Sequence, residues 1–187
     1  MKLRCPIHKN YIHKRKTSFI TQWFGNVHPK FGKHYGVDFR IKGPYKWLYH
    51  RFKGYSRVDR TAPEEVGLIP ILAAHDGYLT SSYNDDKKEG IYVKIKDGDY
   101  ETLYFHLDKI RVWKGDKNTA WDKMKGKDFV KKGSIIGWGG NTGKYTTGSH
   151  LHFELRHKGK RIDPIPYFQD NVVYRKGSTK YFKGKNV

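Results

Sequence analysis

A chain of 187 residues is long enough for one domain with a substantial core, and an aromatic content of 16% excludes a disordered polymer. Its 38 basic residues against 18 acidic ones give a formal charge of +20, which calls for an anionic partner: nucleic acid, a membrane surface or a bacterial wall polymer. The single cysteine, Cys5, excludes an intramolecular disulfide, and no stretch approaches the ~20 apolar residues of a membrane span.

In chain order, residues 1–16 are rich in Lys, Arg and His and read as a loosely held basic arm, without the apolar segment of a signal peptide. Strand-like runs follow at 18–24 and 39–42. Residues 43–66 break the alternation with Pro, Gly and charge, and read as a long aromatic-rich insertion. Residues 69–74 and 77–82 form two short strands joined at His75, Asp76 and Gly77. Residues 91–96 and 101–107 form a hairpin about the turn Asp97-Gly98-Asp99. A second polar insertion covers 114–130, with helical character around 120–125. A short strand occupies 134–138, and Asp163-Pro164 closes a domain spanning 17–168. Residues 169–187 read as a basic tail carrying at most a marginal final hairpin. Many short strands with Gly turns and no long amphipathic helix predict an all-β or β-dominated single domain.

The chemistry-bearing residues fall in three segments. In the run His150-Leu151-His152-Phe153-Glu154-Leu155, alternation puts His150, His152 and Glu154 on one strand face and the apolar residues on the other. His34 and Asp38 form the second segment. On a regular strand they would stand about 13 Å apart; a helix would bring them close, but Tyr-Gly-Val is a poor helical filling, so the reading is a bend at Gly36 that carries His34 back over Asp38. The third is His106, placed by alternation on the same face as Thr102 and Tyr104. Two His and one Asp with a water make an open tetrahedral Zn²⁺ site of the catalytic kind, in which remaining histidines would move protons. No His-Glu-x-x-His motif is present.

Taken together, the ordered motifs resemble the lysostaphin/LytM-type zinc metallopeptidases of family M23, the peptidoglycan endopeptidases. The matching text is His34-Tyr35-Gly36-Val37-Asp38, Pro70-Ile71-Leu72-Ala73-Ala74-His75-Asp76-Gly77, Tyr104-Phe105-His106-Leu107, Gly140-Asn141-Thr142-Gly143 and Gly148-Ser149-His150-Leu151-His152-Phe153-Glu154-Leu155. The resemblance implies an antiparallel sheet forming a groove over one Zn²⁺ per chain, held by His34, Asp38 and His152. It implies His106 and His150 as the catalytic histidines. Tyr104 is a candidate for substrate contact through the face it shares with His106. Asn141 and Thr142 are turn residues that are also candidates for the groove. His28 and His75 occupy motif positions but read as turn residues.

The function that follows is hydrolysis of peptide bonds in bacterial peptidoglycan, in stems or cross-bridges. The basic surface would adhere to anionic wall polymers. An inactive zinc-bound scaffold that activates another wall hydrolase is an alternative. A basic nucleic-acid-binding protein is a weaker one, because it leaves the histidines unexplained. The enzyme would act at the cell wall as a monomer, unless it belongs to a phage tail. The lack of a leader points to a phage lysin or virion-associated enzyme, or to a processed secreted protein.

Overall fold

The computed structural model describes residues 1–7, 20–29, 31–40, 69–82, 88–110, 128–146, 148–169, 174–176 and 180–182. Over these the chain forms β1 (Ile20–Gln22), β2 (Val27–His28), β3 (Gly32–Lys33), β4 (Val37–Arg40), β5 (Pro70–Leu72), β6 (Gly77–Ser82) and β7 (Ile91–Asp97). It continues through β8 (Tyr100–Ile110), β9 (Asp128–Val130), β10 (Ile135–Gly139), β11 (His150–His157), β12 (Lys160–Ile162), β13 (Tyr174–Lys176) and β14 (Lys180–Phe182). The protein is all-β among the described residues apart from a 3₁₀ turn at Ile165–Tyr167.

Ten strands build one sheet whose main order is β1-β4-β11-β8-β7-β6-β9, with β10 paired to β5 and β8 and β12 paired to β11. Its pairings are antiparallel. β11 lies between β4 and β8, so His152 stands opposite Asp38 on one side and Phe105 on the other. Directly opposed residues share a sheet face, and this register brings segments 114 residues apart to one place. The other face of β11 carries the core. Leu151, Phe153 and Leu155 are fully buried, with Phe153 packing edge-on against Phe39 and Tyr104.

Several expectations need correction. The first seven residues are not a loose arm. Leu3, Cys5 and Ile7 are buried in the core, Leu3 bridges Phe168 and Ile7 bridges Ile71, and the Leu72 amide donates to the Pro6 carbonyl at 2.8 Å. The physical reason is an apolar alternation at positions 3, 5 and 7 beneath the basic residues. Residues 8–16 of that arm, the insertion at 43–66 and positions 114–127 of the second insertion lie outside the described residues. The end of the second insertion is strand β9, paired to β6. In the basic tail, β13 and β14 pair with each other. No helix among the described residues is long and apolar enough to cross a membrane.

Candidate metal centre and its flanking histidines

His34 leaves the short β2–β3 hairpin, the chain bends at Gly36, and Asp38 enters β4. The bend carries His34 back over Asp38, with Nε2 and Oδ1 3.0 Å apart. A glycine is required at the bend because a Cβ there would stand 2.5 Å from the Phe153 carbonyl and 2.8 Å from His152 Nε2. From β11, His152 Nδ1 completes a triangle, 2.9 Å from His34 Nε2 and 2.8 Å from Asp38 Oδ1.

With both rings neutral, in the tautomers that their outer partners favour, those three atoms cannot satisfy one another by hydrogen bonds. His34 Nδ1–H donates to the Trp23 carbonyl at 3.0 Å, which leaves Nε2 with a lone pair. His152 turns Nε2 toward the Glu154 carboxylate, 3.6 Å from Oε1, which favours the proton on that nitrogen and a lone pair on Nδ1. Two nitrogen lone pairs and a carboxylate oxygen at such separations repel unless positive charge stands between them. The donor set fits a divalent cation, and the triangle needs to widen by only a few tenths of an ångström to take one, since ligands at Zn–N distances of about 2.0–2.1 Å in a tetrahedron lie roughly 3.3 Å apart. Without a metal, a second proton on the His152 ring supplies that positive charge. Burial pushes the His152 imidazole down, but hydrogen bonds to Asp38 and Glu154 and their charges outweigh it and raise it to about 9. Burial pushes the Asp38 carboxyl up, and hydrogen bonds from His152 and His34, with the charge of His150, hold it far below the carboxylate range.

His106 and His150 flank this triangle, with ring centroids 4.7 Å apart. His106 Nδ1–H donates to the Thr142 carbonyl at 2.8 Å, and His150 Nδ1–H to the Gly148 carbonyl at 2.6 Å. Each ring is fixed by a backbone acceptor, so each keeps Nε2 for other work. His150 Nε2 stands 3.8 Å from Asp38 Oδ2. Burial, with the neighbouring charges of His150 and His152, pushes the His106 imidazole down to about 3.

His106 also has φ of 63°, a left-handed conformation that costs a non-glycine residue about 1–2 kcal/mol. The β7–β8 register slips here: Ile91 opposes Leu107 while Val93 opposes Tyr104, giving β8 one extra residue. That bulge corrects the expected face of β8. Phe105 and His106 both line the groove, whereas Tyr104 lies on the core side, fully buried. Its hydroxyl accepts from the Ala74 amide at 2.8 Å and bonds Thr102 Oγ1 at 3.0 Å. Tyr104 therefore has no access to a substrate. His75, expected as a turn residue, joins the same buried network through Nε2 and Thr102 Oγ1 at 2.9 Å.

Asn141 and Thr142 also sit differently from the groove contacts considered for them. The Thr142 hydroxyl accepts from the Ile91 amide at 2.9 Å and donates to the Leu107 carbonyl at 2.7 Å, stapling the bulge that holds His106. Asn141 Oδ1 takes the hydroxyl of Thr146, which also lies 3.4 Å from His150 Nδ1.

His34, Asp38, His106, His150 and His152 all line one groove of about 420 Å³. Its walls add residues that motif reading passed over: Phe31, Lys88, Tyr145 and Arg161. Phe31 from the β2–β3 turn meets Tyr145 at 5.3 Å between centroids, and the Lys88 ammonium stands 4.8 Å over the Tyr145 ring. The exposed apolar Phe31 and Tyr145 were the available signal, beside Gly25 and Gly32 and the Gly-Asn-Thr-Gly turn, but nothing local says which turns meet.

Comparison with known proteins gives a consistent result. Peptidoglycan DD-endopeptidase ShyA of Vibrio cholerae is 38% identical over 97 residues, covering 51% of this chain and 19% of the relative. The chain spans about a fifth to a quarter of the length of such curated relatives, 19%, 18% and 26% in three of them. A zinc-containing peptidase from Vibrio cholerae superposes with a TM-score of 0.57 at 26% identity, over 87% of this chain and 39% of that one. The catalytic domain of the antimicrobial peptidase lysostaphin from Staphylococcus simulans gives 0.54 at 25%, over 80% and 91%. The family model for peptidase family M23 matches residues 56–164. His34 and Asp38 precede that stretch and reach the site through the pairing of β4 with β11. By that match, which covers more than half of its length, the chain belongs to peptidase family M23.

Proposed function

We propose that this chain is a zinc-dependent endopeptidase that hydrolyses peptide bonds in bacterial peptidoglycan, with one zinc held by His34, Asp38 and His152. The observation that carries the reading is the triangle of two imidazole lone pairs and a carboxylate oxygen, 2.8–3.0 Å on a side, beside two more histidines with fixed Nδ1 atoms. Relatives named as peptidoglycan endopeptidases support the substrate, and a groove walled by aromatic and basic side chains suits an extended anionic polymer.

Zinc in such a triad supplies Lewis acidity and lowers the pKa of a bound water from about 15.7 to about 7. The chain's own residues do the rest. His106 is neutral at physiological pH, and with Nδ1–H given to Thr142 its Nε2 would accept a proton from the attacking water and return it to the leaving amine as the C–N bond breaks. His150 turns Nε2 into the same groove, 3.8 Å from Asp38 Oδ2, where it would face the carbonyl oxygen that gains charge. Phe105 and the Phe31–Tyr145 pair enclose the site. The proposed setting is the bacterial cell wall, with the basic surface adhering to anionic wall polymer in a salt-sensitive manner.

The test is release of new amino groups from purified peptidoglycan, before and after chelation and after zinc is restored. The expected result is cleavage that disappears with the chelator and returns with zinc. Cleavage that survives chelation contradicts the zinc dependence. Zinc binding without cleavage of either direct or bridged cross-links contradicts the enzyme and favours a scaffold.

A further inference from the structure

Glu154 has no role in the mechanism above, yet it and Asp38 are the buried carboxylates among the described residues, Glu154 being only 4% exposed. It sits on β11 two residues beyond His152 and therefore on the same face. Arg156 donates to Oε2 through Nε at 3.0 Å and Nη2 at 2.7 Å. Arg161 Nε reaches Oε1 at 3.2 Å and Oε2 at 3.1 Å. A buried carboxylate is costly unless paired, and two guanidinium groups would suffice for a purely structural cluster. They do not account for the third neighbour, His152 Nε2, 3.6 Å from Oε1.

We propose that Glu154 is a positioning residue for the metal centre. With its carboxylate 3.6 Å behind Nε2 it draws the ring proton to that nitrogen by charge and so favours the tautomer that turns the Nδ1 lone pair toward His34 and Asp38. Its negative charge behind the ring makes that nitrogen a stronger donor. Arg156 and Arg161 clamp the carboxylate so that the ring cannot rotate away. Arg161 is itself held, its guanidinium carbon 4.9 Å over the Tyr35 ring. This inference rests on the zinc reading of the triad.

The experiment is a zinc titration of metal-free wild type and Glu154→Gln against a chromophoric chelator, with the melting temperature of each metal-free protein recorded alongside. The amide keeps the shape and removes the charge. Zinc affinity is expected to fall about 10- to 100-fold. A purely structural carboxylate would lower the melting temperature while leaving zinc affinity within about twofold, and that result would overturn the proposal. A wild type that binds no zinc would defeat the triad reading instead, so the two failures are distinguishable. If the variant does not fold, the zinc-loaded wild type decides. A His152 Nε2–H proton resonance protected from solvent exchange is expected, and rapid exchange with water overturns the assignment.

Discussion

Along β11, Leu151, Phe153 and Leu155 meet a packed apolar face, while His150, His152 and Glu154 on the opposite face each present particular atoms to particular partners. The apolar side demands volume and shape, and a neighbour of similar size can serve. The polar side demands one ring nitrogen rather than the other, set by the Trp23 carbonyl of the β1–β2 loop and the Thr142 and Gly148 carbonyls of the β10–β11 loop. A change on the first face should therefore be read in stability, and a change on the second in chemistry.

The sharpest way to break that distinction is on the polar side. His106→Ala is expected to lower kcat on peptidoglycan about 10²- to 10⁴-fold, with zinc content and fold retained. An accompanying loss of zinc would show that His106 supports the metal rather than the reaction. On the apolar side, Phe153→Ala removes a fully buried ring between Phe39, Tyr104 and Phe168. It is expected to cost about 3–5 kcal/mol in urea unfolding, and a loss below about 1 kcal/mol would mean the core is less tightly packed than described.

Acid offers a smaller, graded test in the metal-free protein. Burial holds His106 and His75 below the ordinary histidine value in the fold, so below pH 6.5 the unfolded chain binds more protons and stability falls as pH drops. His106, titrating at about 3 when folded, alone contributes a loss of about 2 kcal/mol between pH 6.5 and 5. His152 does not offset this. Its pKa is raised to about 9, so its stabilising contribution is complete below the unfolded value and constant across that window. A urea midpoint that stays flat from pH 6.5 to 5 would contradict the buried neutral histidines.

Much of this was legible from residue pattern, and the exceptions have identifiable causes. The alternation of β11 put its histidines and its core residues on the correct faces, and the Asp97-Gly98-Asp99 turn marked the β7–β8 hairpin. The spacing of His34 and Asp38 favoured a bend at Gly36, where the chain does bend. The face of Tyr104 was misjudged because strict alternation assumes regular strand, and a histidine at positive φ leaves no mark in the sequence. Leu3, Cys5 and Ile7 were hidden by the charge around them, since composition weighed more than period. Phe31, Tyr145 and Arg161 come together only through loops whose meeting is a tertiary event. Glu154 was visible as a third polar residue on the face of His152, but its two arginine partners at Arg156 and Arg161 needed the β11–β12 hairpin to converge.

The most direct test of the account is zinc content measured together with amine release from peptidoglycan, for the wild type and for His150→Ala. One zinc per chain is expected in both proteins, with amine release in the wild type alone. Absence of zinc from the wild type, or an undiminished rate in His150→Ala, would contradict it.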